Sequence, residues 1–117
     1  MTARVPELKI KLQIYRGDEI AMGPGKADLL DAIADHGSIS AAARALGMSY
    51  RRAWLLVDTM NRCWSGLLVE TAPGGNPRAG ARVTEKGREV LARYRSLQAT
   101  AENARGADWA TLSSLLR

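Results

Sequence analysis

Between Gly37 and Asn61 the chain reads GSISAAARALGMSYRRAWLLVDTMN, and its small residues leave little freedom in how the segment folds. Ala43 is followed by Gly47 four residues on and by Ala53 six beyond that. The pattern reads as a helix, a tight turn and a second helix. Ala43 must be small where the two helices cross. Gly47 ends the first of them, because a residue without a Cβ takes the left-handed conformation at little cost. Leu46, Met48 and Leu56 are the apolar contacts expected to fix the crossing angle. Basic residues open the second helix, and such a unit can lay that helix in the major groove of DNA. An ordinary αα-hairpin would match the same frame by chance, so other features must decide.

Charge is the first of these. The net charge is +5, and residues 44–95 carry ten Lys/Arg against four Asp/Glu. The excess therefore lies on the helix pair and the segment C-terminal to it, as expected of a phosphate-facing surface. At 117 residues the chain is one domain, too small for a separate sensor. Cys63 is the single cysteine, which excludes an intramolecular disulfide and argues against a thiolate metal site. No run of eighteen apolar residues and no charged-then-apolar N-terminus are present, so a soluble cytoplasmic protein without a membrane partner is expected.

Along the chain, Leu8, Ile10, Leu12 and Ile14 alternate with Lys9, Lys11, Gln13 and Tyr15, which predicts a half-buried strand over 8–15. Gly17-Asp18 reads as a turn, with Ile20–Met22 pairing back. Pro24 suits the first turn of a helix running to about Asp35 and burying Leu29, Leu30, Ile33 and Ala34. Asp28, Asp31 and Asp35 fall on its outer face, and His36-Gly37 ends it.

The next helix is expected to start after Ser40, whose hydroxyl caps free backbone N–H groups, and Ser49 caps the one after it. Tyr50, Arg51 and Arg52 then occupy the first turn of that helix, the end that enters a groove deepest. An arginine there reaches guanine O6 and N7 with two donors, or holds a phosphate. Ala53, Leu56, Val57, Met60 and Trp64 follow helical spacing towards the core, and Trp54 is assigned there too. Thr59 and Arg62 lie further along and suit the DNA backbone. Arg44 reads equally well as a solvated charge.

Leu67–Thr71 and Ala81–Thr84 are short apolar runs separated by the tip APGGNPRAG. A hairpin carrying Arg78 at its tip and Arg82 inside its strand suits the neighbouring minor groove or phosphates, although a plain surface loop would read the same way. Gly74-Gly75 lacks the Lys-Ser/Thr sequel of a nucleotide loop. Thr84 caps a long helix over roughly Glu85–Glu102, with Val90, Leu91, Tyr94, Leu97 and Gln98 as its inner stripe. The fold predicted is α+β, mainly α: a winged helix-turn-helix with an N-terminal strand or hairpin and a long C-terminal helix. Residues 1–104 form the DNA-binding domain, and 105–117 a short amphipathic helix for packing or dimerisation.

The stretch GPGKADLLDAIADHGSISAAARALGMSYRRAWLLVDTMN, then LLVE, a Gly-rich wing and VTEKGREVLARYRSL, resembles the N-terminal DNA-binding domain of the ModE family of molybdate-responsive regulators. LysR-type regulators resemble the central part more distantly. The likeness covers about Leu8 to Leu97. It implies a winged helix-turn-helix that dimerises and binds a palindromic operator on double-stranded DNA. The family's recognition-helix start falls on Ser49 to Arg52, and its wing on Gly74 to Arg82. The sequence NPRAGARVT departs from the family's more uniformly Gly-rich tip by adding two arginines and a proline. Nothing follows residue 117, so the oxyanion sensor is expected to be absent, and molybdate responsiveness does not carry over.

Ser40, Ser49, Tyr50, Arg51, Arg52, Arg62, Arg78 and Arg82 thus make up the candidate DNA-contacting set. A homodimer is expected, since one recognition helix reads only a few base pairs. Trp109, Leu112, Leu115 and Leu116 form an apolar strip that packs across a dimer partner or back on its own core, with the partner slightly favoured. One His, one Cys and dispersed acids offer no acid/base pair, triad or metal-ligand spacing, so no enzyme, cofactor or small-molecule site is expected. RNA binding is less attractive, because aromatics for stacking bases are few. The main rival is a protein-interaction module that heterodimerises with a full-length regulator and binds DNA weakly.

Overall fold

The computed structural model describes residues 5–73 and 80–117. Nine elements follow in chain order: β1 (Ile14–Arg16), β2 (Glu19–Met22), α1 (Pro24–His36), α2 (Ile39–Leu46), α3 (Tyr50–Cys63), β3 (Val69–Thr71), β4 (Ala81–Val83), α4 (Glu85–Asn103) and α5 (Gly106–Ser114). The winged helix-turn-helix is present: α1 to α3 form the helical body, the β3–β4 hairpin follows, and α4 closes the domain. No helix among the described residues is long and apolar enough to cross a membrane.

The N-terminal hairpin is shorter than its alternation suggests. Strand pairing begins only at Ile14, because β2 offers four residues before Gly23-Pro24 turns the chain into α1. Residues 8–13 keep much of the alternation in exposure without a ladder. Tyr94 of α4 holds this segment by donating its hydroxyl to the Leu12 carbonyl at 2.8 Å. Burial pushes the Tyr94 hydroxyl above its usual range, which keeps it in the neutral, donating form.

The core joins Met22 to Leu29, Leu30 and Ile33 of α1, Ala42 and Ala43 of α2, Ala53, Val57 and Met60 of α3, and Leu68, Val69 and Val83 of the hairpin. Ala43 and Ala53 are buried where the helices cross, and Gly47 ends α2 at φ 68°. Three details differ from expectation. Ala32, not Ala34, is buried on α1, since the stripe from Leu29 to Ile33 is centred one position earlier. Leu46 is 38% exposed, because the turn at Gly47 carries its side chain past the crossing, leaving Met48 and Leu56 to pack there. Leu97 is exposed, as α4 has by then run beyond the body it covers.

The cap of α2 is Ser38 rather than Ser40: its hydroxyl accepts from the Ala41 N–H at 3.1 Å. Gly37, at φ 75°, closes α1 and leaves Ser38 as the first extended residue, so the helix starts two residues earlier than expected. Ser49 and Thr84 cap α3 and α4 as expected, accepting from Arg52 and Gly87 N–H groups.

Asn61 ties the hairpin to α3. Its side-chain oxygen accepts from the N–H groups of Leu68 (2.9 Å) and Val69 (3.2 Å), and its amide donates to the Val69 carbonyl at 3.0 Å. One residue thus satisfies three backbone groups as the chain leaves the helix and enters the strand. Asn61→Ala is expected to lose about 2–3 kcal/mol in urea unfolding, at about 1 kcal/mol per bond. A loss below about 0.5 kcal/mol, the range of an ordinary surface substitution, would show that these bonds do not hold the strand.

α4 is fastened to α1 by Arg95, which reaches Asp28 at 3.0 Å and Asp31 at 2.8 Å. Beyond it the chain leaves the body, and no residue of α5 is fully buried. Leu112, Leu115 and Leu116 are exposed, and Trp109 is half-buried. The radius of gyration is accordingly 17.3 Å, against about 13 Å for a compact chain of this length.

Candidate nucleic-acid interface

The turn between α2 and α3 presents the start of α3 outward. Ser49 accepts the Arg52 N–H at 3.1 Å, and Ala53 N–H bonds the Ser49 carbonyl, so the first turn is fully formed from its cap. Arg51 and Arg52 are exposed and Tyr50 is half-buried beside them. Neither arginine has a carboxylate within ion-pair distance among the described residues. Unpaired guanidinium groups at the start of a well-capped helix are geometrically suited to base edges or phosphates.

Two faces of α3 are distinct. Ala53, Val57 and Met60 are buried against α1, α2 and the hairpin. Arg51, Leu55, Asp58 and Arg62 recur at helical spacing on the opposite side. Trp54 lies next to this outer strip. It is 47% exposed and does not belong to the core, where it was expected, and Leu55 beside it is 48% exposed. Tyr50, Arg51, Trp54 and Leu55 together line one shallow recess. Trp54 also borders the cleft towards the hairpin, with Ile39, Leu67 and Glu70. The phase of the helix carried the missed signal: Trp54 is four residues after Tyr50, and Leu55 four after Arg51.

The other candidates divide according to their partners. Ser40 is half-buried on α2, and its hydroxyl accepts from Arg44 at 3.2 Å, so the serine and that exposed arginine form one polar patch. Arg62 donates to Glu19 at 2.8 Å and to Asp58 at 3.0 Å. Those hydrogen bonds raise the guanidinium above its ordinary value, and the bond from Arg62 holds the Glu19 carboxyl below its own. This arrangement joins β2 to α3 and engages Arg62 structurally. Arg82, on β4, pairs across the hairpin with Glu70 at 2.6 Å while remaining exposed. Arg78 and the Gly74-Gly75 pair lie outside the described residues. Lys26 of α1, which sequence reasoning left out, adds a cation near Arg52. Partial burial holds its ammonium below the usual range, and repulsion from Arg52 contributes.

The arrangement can present a helix end with free arginines to an anionic groove, flanked by a two-stranded hairpin. The family described as bacterial regulatory helix-turn-helix protein, lysR family, matches residues 26–88, which run from α1 into α4. Among curated proteins, the chain is 41% identical over 95 residues to the molybdenum-pterin-binding protein MopA of Rhodobacter capsulatus, covering 81% of this chain and 36% of that one. It is 46% identical over 70 residues to the molybdenum transport protein ModE of Herbaspirillum seropedicae, covering 60% and 26% respectively. It is 37% identical over 87 residues to the DNA-binding transcriptional dual regulator ModE of Escherichia coli K12, covering 74% and 32%. The chain spans about a third of the length of the curated relatives it matches.

Proposed function

Because the chain belongs to the family of bacterial regulatory helix-turn-helix proteins of the LysR type, we propose that it is a sequence-specific DNA-binding transcriptional regulator of the ModE kind. It binds palindromic double-stranded sites as a homodimer, acts in the cytoplasm where genomic DNA lies, and performs no catalysis. The observation that carries this reading is the capped first turn of α3, which holds Arg51 and Arg52 exposed, with no acid paired to them among the described residues, on a helix whose opposite face is core. Its relatives include a protein named for DNA-binding transcriptional regulation. The dimer is supported by Leu112, Leu115 and Leu116, which nothing covers within the described chain. Burial of such a strip against a second copy would remove apolar surface from water at about 25 cal/mol per Å².

Selection of duplexes from a random-sequence library at physiological salt tests the proposal. Enrichment of two-fold symmetric sites, with half-site centres about one helical turn apart, is the expected result. Bound DNA no different from the starting library would overturn sequence-specific regulation and favour the protein-interaction module instead.

A further inference from the structure

Leu55 and Trp54 have no structural explanation within the domain. They stand roughly half exposed on α3, Leu55 on the outer strip with Arg51 and Trp54 between that strip and the hairpin cleft. Single exposed apolar residues are ordinary, but adjacent ones directly following two exposed arginines are less so. A helix in the major groove meets one apolar feature on the bases, the C5-methyl group of thymine. Leu55 is four residues after Arg51, about 6 Å further along the helix axis, a displacement of one to two base steps at about 3.4 Å each. Both side chains project from the same strip, so a helix placed to bring Arg51 to a guanine also brings Leu55 to a nearby base edge.

We propose that Leu55 is a specificity-determining residue that reads a thymine methyl within the half-site. Trp54 flanks it and borders both the recess at the start of α3 and the cleft towards the hairpin. The inference rests on the DNA-binding reading and specifies part of what the site must contain: a thymine one or two steps from the base contacted by Arg51. The surrounding charge suits this occupant. Arg51 and Arg52 precede the pair, and the Asp58 carboxylate three residues after Leu55 is drawn back along the helix to Arg62, which it shares with Glu19.

The test uses the duplex that the protein prefers, with each thymine of the half-site replaced in turn by deoxyuridine, which removes the methyl alone. The parent protein is expected to lose about 3–5-fold in affinity at one position, the effect of withdrawing one buried methyl-sized group. Leu55→Ala should bind more weakly, become indifferent to deoxyuridine there, and keep the parent's salt dependence, because no phosphate contact is lost. Arg51→Ala should retain the methyl effect. Thermal unfolding of Leu55→Ala at the parent's midpoint would confirm an intact fold. A preferred duplex whose affinity is unchanged by every such replacement would overturn this inference alone. So would a Leu55→Ala protein that keeps the parent's methyl dependence. Absence of any preferred duplex would overturn it together with the proposed function.

Discussion

Gly87→Ala is expected to destabilise the domain by about 2–3 kcal/mol, although alanine is the better helix former. Gly87 lies in the first turn of α4, directly over the hairpin. A Cβ there would overlap the Leu68 carbonyl and lie 2.8 Å from a Val83 methyl. The carbonyl cannot move freely, because it accepts the Thr84 N–H at 2.9 Å and belongs to the segment held by Asn61. Overpacking against backbone stands near the top of the usual range of about 1–3 kcal/mol or beyond it. Helix propensity offsets about 1 kcal/mol. The remainder corresponds to a fall in unfolding midpoint of roughly 8–12 °C for a domain of this size. Gly25→Ala is the contrasting case. That glycine lies in α1 with open space where a Cβ would go, so the same substitution should be neutral or stabilising by up to about 1 kcal/mol. Thermal unfolding of the two variants should therefore move in opposite directions or nearly so. Equal midpoints would mean that α4 rides over the hairpin with room to spare.

This close approach has a functional consequence. α4 meets the hairpin at Gly87, the hairpin meets α3 at Asn61, and α3 carries the exposed arginines. The angle between α3 and the hairpin strands is thereby set by the contacts at Asn61 and Gly87. Neither contact was visible in the sequence. Asn61 bonds residues seven and eight positions away across a turn, a relation without periodicity, and no neighbour in sequence marks Gly87 as a point of close approach. The elements themselves were legible because local chemistry decides them. Gly47 at a left-handed position, Ser49 and Thr84 as caps, and alanines at the crossing act within a few residues of each other.

The errors have a common physical origin. Trp54, Leu46 and Leu97 were placed by hydrophobicity, whereas their burial depends on where each helix stops facing a neighbour. α3 carries apolar residues on two sides, so a stripe taken from composition alone merges the core face with the outer one. The alternation over 8–15 described exposure well but said nothing about the partner strand, whose length is limited by Gly23-Pro24. Arg62 had the position expected of a backbone contact, yet its guanidinium is engaged by Glu19, 43 residues away in sequence. Charge counts locate a basic surface without showing which cations are already paired.

That distinction makes Arg51 the substitution with the largest expected effect on DNA. Arg62, Arg82 and Arg95 all have carboxylate partners, whereas Arg51 and Arg52 are exposed with none among the described residues, and of these two Arg51 lies on the outer strip opposite the core. Its backbone position is secured by the Ser49 cap, so the side chain alone changes on mutation. Arg51→Ala should weaken binding to the preferred duplex by about 1–3 kcal/mol, roughly 5- to 150-fold, and relax discrimination at one base pair. Arg51→Lys separates charge from geometry. A lysine retains the phosphate attraction but not the planar pair of donors that matches guanine, so discrimination should fall while the salt slope stays. A lysine variant that discriminates as well as the parent would place Arg51 on a phosphate instead. In that case Arg51→Ala should weaken all duplexes alike and reduce the salt slope by about one. Unchanged affinity of Arg51→Ala for the preferred site would remove the residue from the interface, and with it the register that places Leu55 over a neighbouring base.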